Sequence, residues 1–415
     1  MIRDPNVLRC KQTFWRAPLG DFRARARSAP FALGVAILFL SGVTRAEPLR
    51  LRGDAFAQTP SPTGLLILSG EDRVKPWISA EGLAWLGAGV GGETGAGDVL
   101  SLAVKLRDPT GHGELRVGRL MVTMGSIRPL QLDGASVLGR TPWGSSLEAF
   151  GGAPVVPRFG ERSYDWAVGG RLAQSLGEKA KLGVAYVHKR DRGDLAAEEV
   201  GADLAIAPTR TFDLAARTAY DLVSWGLVDA LLSASLRFAS LRLEAFATRR
   251  SPSRLLPATS LFSVLGDAPA TRAGASVRWN AAPRLDLLGS GAVYVQDDRA
   301  GYDAFLRANL RTDDEGKGVL GLELRRQGVP RSGWTGIRAT AALPVLPRLR
   351  ASTELELAAA DHPDSRGAVW PWALVAMTYR ASDRWDMALA TEVASRPAVA
   401  REVVGLFRAS YAWDR

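Results

Sequence analysis

The sequence holds one cysteine, Cys10, three histidines, and only seven lysines beside 46 arginines. With Cys10 in a leader to be removed, the rest of the chain has no thiols. That excludes disulfide staples, thiol catalysis and thiolate metal sites, and suits folding in an oxidising compartment. Also missing is any run of about 20 apolar residues, the length a spanning helix needs. There is almost no apolar stripe at i, i+3, i+4, so a helical domain is not indicated. No linker, charge block or low-complexity stretch divides the chain after its start, which points to one domain over residues 47–415.

Residues 1–46 have a basic region (Arg3, Arg9, Lys11, Arg16, Arg23, Arg25, Arg27) and an apolar run, Phe31 to Leu40. A small-residue exit comes next at Thr44-Arg45-Ala46. This is the layout of a secretory signal peptide, with cleavage expected near Ala46. The segment carries eight basic residues against Asp4 and Asp21, so it supplies most of the formal charge of +10. The chain beyond Ala46 is close to balanced in charge, and the high overall pI is no argument for a nucleic-acid partner.

The dominant feature is an alternation. In Arg348 to Leu357 (RLRASTELEL), Leu349, Ala351, Thr353, Leu355 and Leu357 alternate with Arg348, Arg350, Ser352, Glu354 and Glu356. Period two belongs to the β-strand, whose successive side chains leave opposite faces. The pattern returns in VLSLAVKLR (Val99–Arg107), ALLSASLRF (Ala230–Phe238), LRLEAFAT (Leu241–Thr248) and VLGLELRRQ (Val319–Gln327), separated by turn-forming clusters such as DPTGHG and DDEGKG. Spacing this close leaves no room for crossover helices, so neighbours should pair antiparallel. The expected fold is all-β: a transmembrane antiparallel barrel of about 18–22 strands.

A soluble β-sandwich or propeller also gives short alternating strands, but the charged faces and tryptophan positions weigh against it. Trp77, Trp85, Trp166, Trp279, Trp334, Trp385 and Trp413 sit at segment ends, where interfacial girdles place them. Tight links are expected at Ser382-Asp383, Pro344–Pro347, Asp313–Gly316, Ala281–Pro283 and Ala239-Ser240. Longer links alternate with them at Ala360–Gly367, Gly328–Gly333, Asp297–Tyr302 and Arg249–Ala270. Both chain ends then fall on the periplasmic side.

The end of the chain, GLFRASYAW from Gly405 to Trp413, resembles the assembly signal of Gram-negative outer-membrane barrels. It differs in continuing to Asp414-Arg415. The passage VGRLMVTMGSIRPLQLDG (Val117 to Gly134), with GSSLEAFGG (Gly144 to Gly152), is similar to a glycine-arginine to Leu-Asp-Gly passage of porin-like channels. In size and layout the chain also looks like the Wzp-type barrels of polysaccharide export. The resemblance implies an outer-membrane location, contact with outer-membrane lipid, insertion by the barrel-assembly machinery and a periplasmic export component as partner.

Enzyme chemistry has little to build on. His112, His188 and His362 lie in turns or near a strand end, and no G-x-S-x-G elbow supports a triad. Three scattered histidines without cysteine make no transition-metal site, and Asp297-Asp298 or Asp313-Asp314 read as solvated turn acids rather than calcium ligands. No cofactor is expected. The polar strand face is the candidate site, with Arg237, Arg242, Glu244, Arg307, Arg311, Glu323, Arg325, Arg348, Arg350, Glu354 and Glu356 as lumen-lining residues. Arginine's planar head binds carboxylates, anions or sugar hydroxyls, although opposite charges on adjacent strands also satisfy each other. The Arg249–Ala270 link is too apolar for a free loop at Leu255, Leu256, Leu261, Phe262 and Leu265, and is expected to fold inward as a constriction. The function indicated is passage of polar solutes, saccharides or an exported polysaccharide. The alternatives are a plugged barrel that docks a partner and, further off, an outer-membrane enzyme.

Overall fold

Alternation becomes strand along the whole barrel. The computed structural model describes residues 49–59, 63–88, 95–155, 165–251, 270–296, 299–329, 333–364, 367–396 and 399–414. All belong to one compact unit, Val43–Arg415; a second unit, Met1–Gly42, lies outside the described residues, as does the expected cleavage point at Ala46.

The strands are β1 (Arg50–Thr59), β2 (Thr63–Lys75), β3 (Ile78–Ala88), β4 (Ala96–Arg107), β5 (Gly113–Val122), β6 (Leu130–Arg140), β7 (Ser145–Pro154) and β8 (Trp166–Leu176). Next come β9 (Ala180–Asp191), β10 (Asp194–Ile206), β11 (Phe212–Asp221), β12 (Gly226–Arg237), β13 (Leu241–Arg250), β14 (Ala270–Ala282) and β15 (Leu285–Gln296). The last are β16 (Arg299–Arg311), β17 (Val319–Gly328), β18 (Trp334–Leu346), β19 (Leu349–Asp364), β20 (Gly367–Arg380), β21 (Trp385–Arg396) and β22 (Val399–Asp414). Each pairs antiparallel with its neighbours in sequence. β1 pairs with β22 from Arg50 opposite Asp414 to Thr59 opposite Gly405, which closes a barrel of 22 strands. Closure removes the sheet edges, whose unpaired backbone groups no bilayer tolerates.

The two faces separate as the alternation requires. On β17, Leu320, Leu322 and Leu324 point outward and are exposed, while Glu323 points inward and is only 2% exposed. Leu172, Val184, Leu306, Leu355, Leu357, Val375 and Met377 extend the exposed outer band around the barrel. A continuous apolar belt on a closed sheet is stable only against lipid. Trp166, Trp279, Trp385 and Trp413 stand near strand ends on this outer face, and Trp385 packs on Tyr411 with ring centroids 4.8 Å apart. Two tryptophans depart from the girdle expectation. Trp85 faces inward opposite Ile67 and Asp98, and Trp334 turns inward to donate from Nε1 to Gln327 at 2.6 Å. Both stand at strand ends as expected; the face each takes is set by strand parity, which a segment end does not reveal.

Arg50 and Asp414 share one rim, here the terminal rim. The tight links at 239–240, 313–316 and 382–383 fall on it, and Arg250 and Ala270, the strand ends that bound the long apolar link, lie at the opposite, distal rim. The rule of long distal links fails at Arg192-Gly193, where two residues with φ of 52° and 83° join β9 to β10 in the positive-φ pattern of a tight hairpin.

Candidate functional site

The interior wall carries nearly all of the sequence-predicted lining residues. Arg237, Arg242, Glu244, Arg307, Arg311, Glu323, Arg325, Arg350, Glu354 and Glu356 fall on the inward face of β12, β13, β16, β17 and β19. Arg348 lies in the β18–β19 turn at the terminal rim and donates to the Ala381 carbonyl at 3.1 Å. The five apolar residues expected to form a constriction, Leu255, Leu256, Leu261, Phe262 and Leu265, lie outside the described residues.

Register joins the inward residues into a track. Residues directly opposite on adjacent strands share a face. Tracing such partners from β12 gives Arg237, Arg242, Arg278, Leu288, Arg307 and Glu323. The row continues through Arg338, Glu356, Trp372 and Ala394 to Glu402 on β22. Arg237 is the last residue of β12, at the terminal rim, whereas Glu402 lies near the distal end of β22. The row therefore climbs the wall from rim to rim, as the tilt and stagger of a closed barrel require. Its lower part is rich in arginine and its upper part in carboxylate and indole.

Most of these charges are paired. Glu323 is held between Arg307 and Arg325. Arg338 donates from Nε to Glu356 at 2.6 Å, lies 3.4 Å from Glu354, and stacks its guanidinium 5.3 Å from the Trp372 ring centre. Trp372 in turn donates from Nε1 to Glu392 at 2.8 Å. Arg237 pairs with Asp213, and Arg311 with Asp286 at 3.0 Å. The row is a chain of mutually oriented donors and acceptors with guanidinium N–H groups to spare, since one carboxylate cannot occupy all five.

An inward element that the alternation does not announce comes from a short rim link. Thr123–Pro129 (TMGSIRP) joins β5 to β6 at the distal rim and turns into the barrel. Met124 and Ile127, 1% and 5% exposed, complete an apolar cluster with Leu120, Val122, Leu132, Phe150, Ala185 and Val187. Burying two such side chains contributes about 1.5–3 kcal/mol each. Gly125 has φ of 54° and sits against Arg171 and Asp203, where a Cβ would collide; Gly201 leaves the matching space for Ser126 and Ile127. Arg128 pairs with Glu199, and Arg171 donates from Nε to Asp203 at 3.0 Å. Two apolar residues in a rim link between strands were the available signal, of the same kind as Leu255 and Phe262 in the longer link.

The histidines form no catalytic arrangement among the described residues. His112 contacts the Thr110 hydroxyl in a turn, and His188 stacks outward on Trp166 with centroids 5.2 Å apart and its Nδ1 3.6 Å from Glu198. No group of three or more His, Cys, Asp or Glu able to hold a metal occurs among the described residues. The Asp297-Asp298 pair lies outside them.

No protein-family model matches the chain, and no curated protein matches it in sequence. Solved structures do resemble it in shape. The siderophore receptor PirA of Pseudomonas aeruginosa aligns at 12% identity and a TM-score of 0.57, covering 89% of this chain and 81% of the receptor. A mutant form of the ferric enterobactin receptor PfeA from the same organism aligns at 8% identity and 0.57, with the same coverage. The outer-membrane protein OpdK of Pseudomonas aeruginosa covers more of its own length, 98%, but at a TM-score of 0.42 it carries no argument. Likeness this remote in sequence speaks for architecture alone: the chain has the closed antiparallel barrel fold of Gram-negative outer-membrane proteins.

Proposed function

We propose that the protein is an outer-membrane channel for polar solutes, delivered to the membrane after cleavage near Ala46 and inserted by the barrel-assembly machinery. The observation that carries this reading is the inward row from Arg237 to Glu402, which offers polar partners along most of its course between the two rims. A solute exchanging hydrogen bonds along it never has to shed all its polar contacts at once, which keeps the barrier low. Saccharides are the favoured class, because guanidinium, carboxylate and indole groups together suit hydroxyls and ring faces. Export of a polysaccharide with a periplasmic partner is the more specific form of the proposal, suggested only by the likeness in size and layout to Wzp-type barrels. A catalytic role is not proposed.

The second reading is a plugged barrel serving a partner protein. Its support is size, since barrels of about 22 strands commonly hold a plug, and the inward packing of Thr123–Pro129. Single-channel recording of refolded protein in planar bilayers separates the two. Steady open steps are expected for the channel; silence from protein with the heat-modifiable mobility of an assembled barrel would sink it.

A further inference from the structure

One inward cavity lies on the arginine-rich part of the row, lined by Arg242, Glu244, Ser276, Arg278, Asp286 and Asn309. It lies close to the terminal rim, where Arg242 is opposite Arg278 and Asp286 is opposite Asn309. Like charges directly opposite each other are unfavourable for the sheet itself, so the Arg242–Arg278 pair is not explained by strand pairing. Two carboxylates offset the two guanidiniums, and the ionic lining is neutral as a whole.

The ion pairs that Arg242 and Arg278 make here are loose, although Asp286 is also held at 3.0 Å by Arg311, which is not part of the lining. Arg242 is 3.4 Å from Glu244 and Arg278 is 3.8 Å from Asp286, against 2.8 Å for Arg119 with Asp133 and 2.6 Å for Arg338 with Glu356. The guanidinium side chains of Arg242 and Arg278 are 50% and 60% exposed, with donors free toward the cavity. A simple anion would find two carboxylates among its contacts. A hydroxyl fits better, because it accepts from a guanidinium and donates to the carboxylate beside it, filling the gap in a loose pair. Ser276 and Asn309 extend the same mixed chemistry, and Leu288, directly opposite Arg278, offers an apolar surface for ring C–H groups.

We propose that this cavity is a subsite for a neutral saccharide, the first met from the terminal rim; the proposal rests on the channel reading for how the sugar arrives. Vicinal hydroxyls bridge Arg242 to Glu244 and Arg278 to Asp286, and the neutral balance discriminates against carboxylated sugars.

Binding is measured on the full detergent-solubilised barrel by saturation-transfer NMR, with maltotriose as the neutral probe and glucuronate as the anionic one. Maltotriose should bind and glucuronate should bind more weakly. The Glu244→Gln/Asp286→Asn double variant keeps the shape but removes both negative charges and replaces one acceptor oxygen of each carboxylate by an NH2 donor. It should weaken maltotriose about tenfold and strengthen glucuronate. Should that variant fail to assemble, Asn309→Ala alone is expected to weaken maltotriose about threefold, the loss of one neutral hydrogen bond. Absence of maltotriose binding to the native barrel, equal binding by the variants, or tighter native binding of glucuronate would each overturn the subsite. A native barrel that binds maltotriose but never conducts would remove the channel reading and leave the subsite standing. Conductance without sugar binding would do the reverse.

Discussion

Arg237 and Glu402 stand at opposite rims of the barrel and are nevertheless the two ends of a single register row. In a flat sheet such a row would run straight across the strands at one height. Closing 22 tilted strands staggers each pair, so sideways steps accumulate into a climb. The physical consequence is a lengthwise track built from lateral neighbours, with guanidiniums first and carboxylates and indole last.

Glu323 is the tightest point of that track. It is buried between Arg307 and Arg325, whose side chains are about one-third exposed at 35% and 31%. Glu323→Gln should destabilise the barrel by about 2 kcal/mol, below the full cost of breaking a buried pair because both guanidiniums keep some solvent. Urea unfolding in lipid vesicles measures this. The freed positive charge should also move the reversal potential in a salt gradient toward anions; an unchanged potential in an open channel would argue against a role for this pair in conduction.

The inward packing of Thr123–Pro129 predicts a cavity effect. Met124→Ala should cost about 2–4 kcal/mol, since Met124 is fully enclosed by the cluster that includes Leu120 and Phe150. Limited proteolysis should then cut within residues 123–129, which the native packing protects. If the segment instead projected freely from the rim, neither stability nor cleavage would change.

Leu306 and Leu310 share the outer face of β16, the first near mid-strand and the second beside the terminal rim. Leu306→Arg should therefore destabilise the barrel by about 2–4 kcal/mol, and Leu310→Arg by only about 0–1 kcal/mol. Equal effects on vesicle unfolding would mean that the apolar belt does not lie in the hydrocarbon region.

The β16–β17 turn supplies a pH dependence. The Lys317 amide donates to Asp313 Oδ1 at 2.8 Å and the Gly318 amide to Oδ2 at 2.6 Å, which lowers the Asp313 pKa below the usual carboxylate value. A carboxyl depressed in the folded turn contributes stability that is present above its unfolded pKa and is lost as pH falls through the folded value. Amide exchange at Lys317 and Gly318 should thus be slow at neutral pH and accelerate in acid below the ordinary Asp range. Asp313→Asn should show faster exchange already at neutral pH, and a native-like rate in that variant would refute the assignment.

Much of the fold was legible in the alternation of apolar and polar residues. The alternation in Leu349–Leu357 and Val319–Gln327 gives the strands and their apolar faces, and the turn chemistry at Ala239-Ser240, Asp313–Gly316 and Ser382-Asp383 gives one rim. The candidate site was legible as residues rather than as an arrangement. Glu323, Arg307 and Glu356 are readable as inward from parity, yet nothing local marks Arg278 and Trp372 as the residues that complete the row. Met124 and Ile127 stand out less than the longer Arg249–Ala270 link, because length and apolarity together outweigh a short rim segment.

Where the alternation is clear, as on β17 and β19, it already separates lipid-facing from inward side chains, since a side-chain period of two is a local property of the backbone. Cross-strand neighbours, by contrast, follow from closure of the barrel. Which residue of β13 faces which of β14 depends on the stagger needed to close all 22 strands, a condition that no single segment encodes. The inward turn of Thr123–Pro129 likewise depended on distant partners, Glu199, Gly201 and Asp203, brought beneath it by closure.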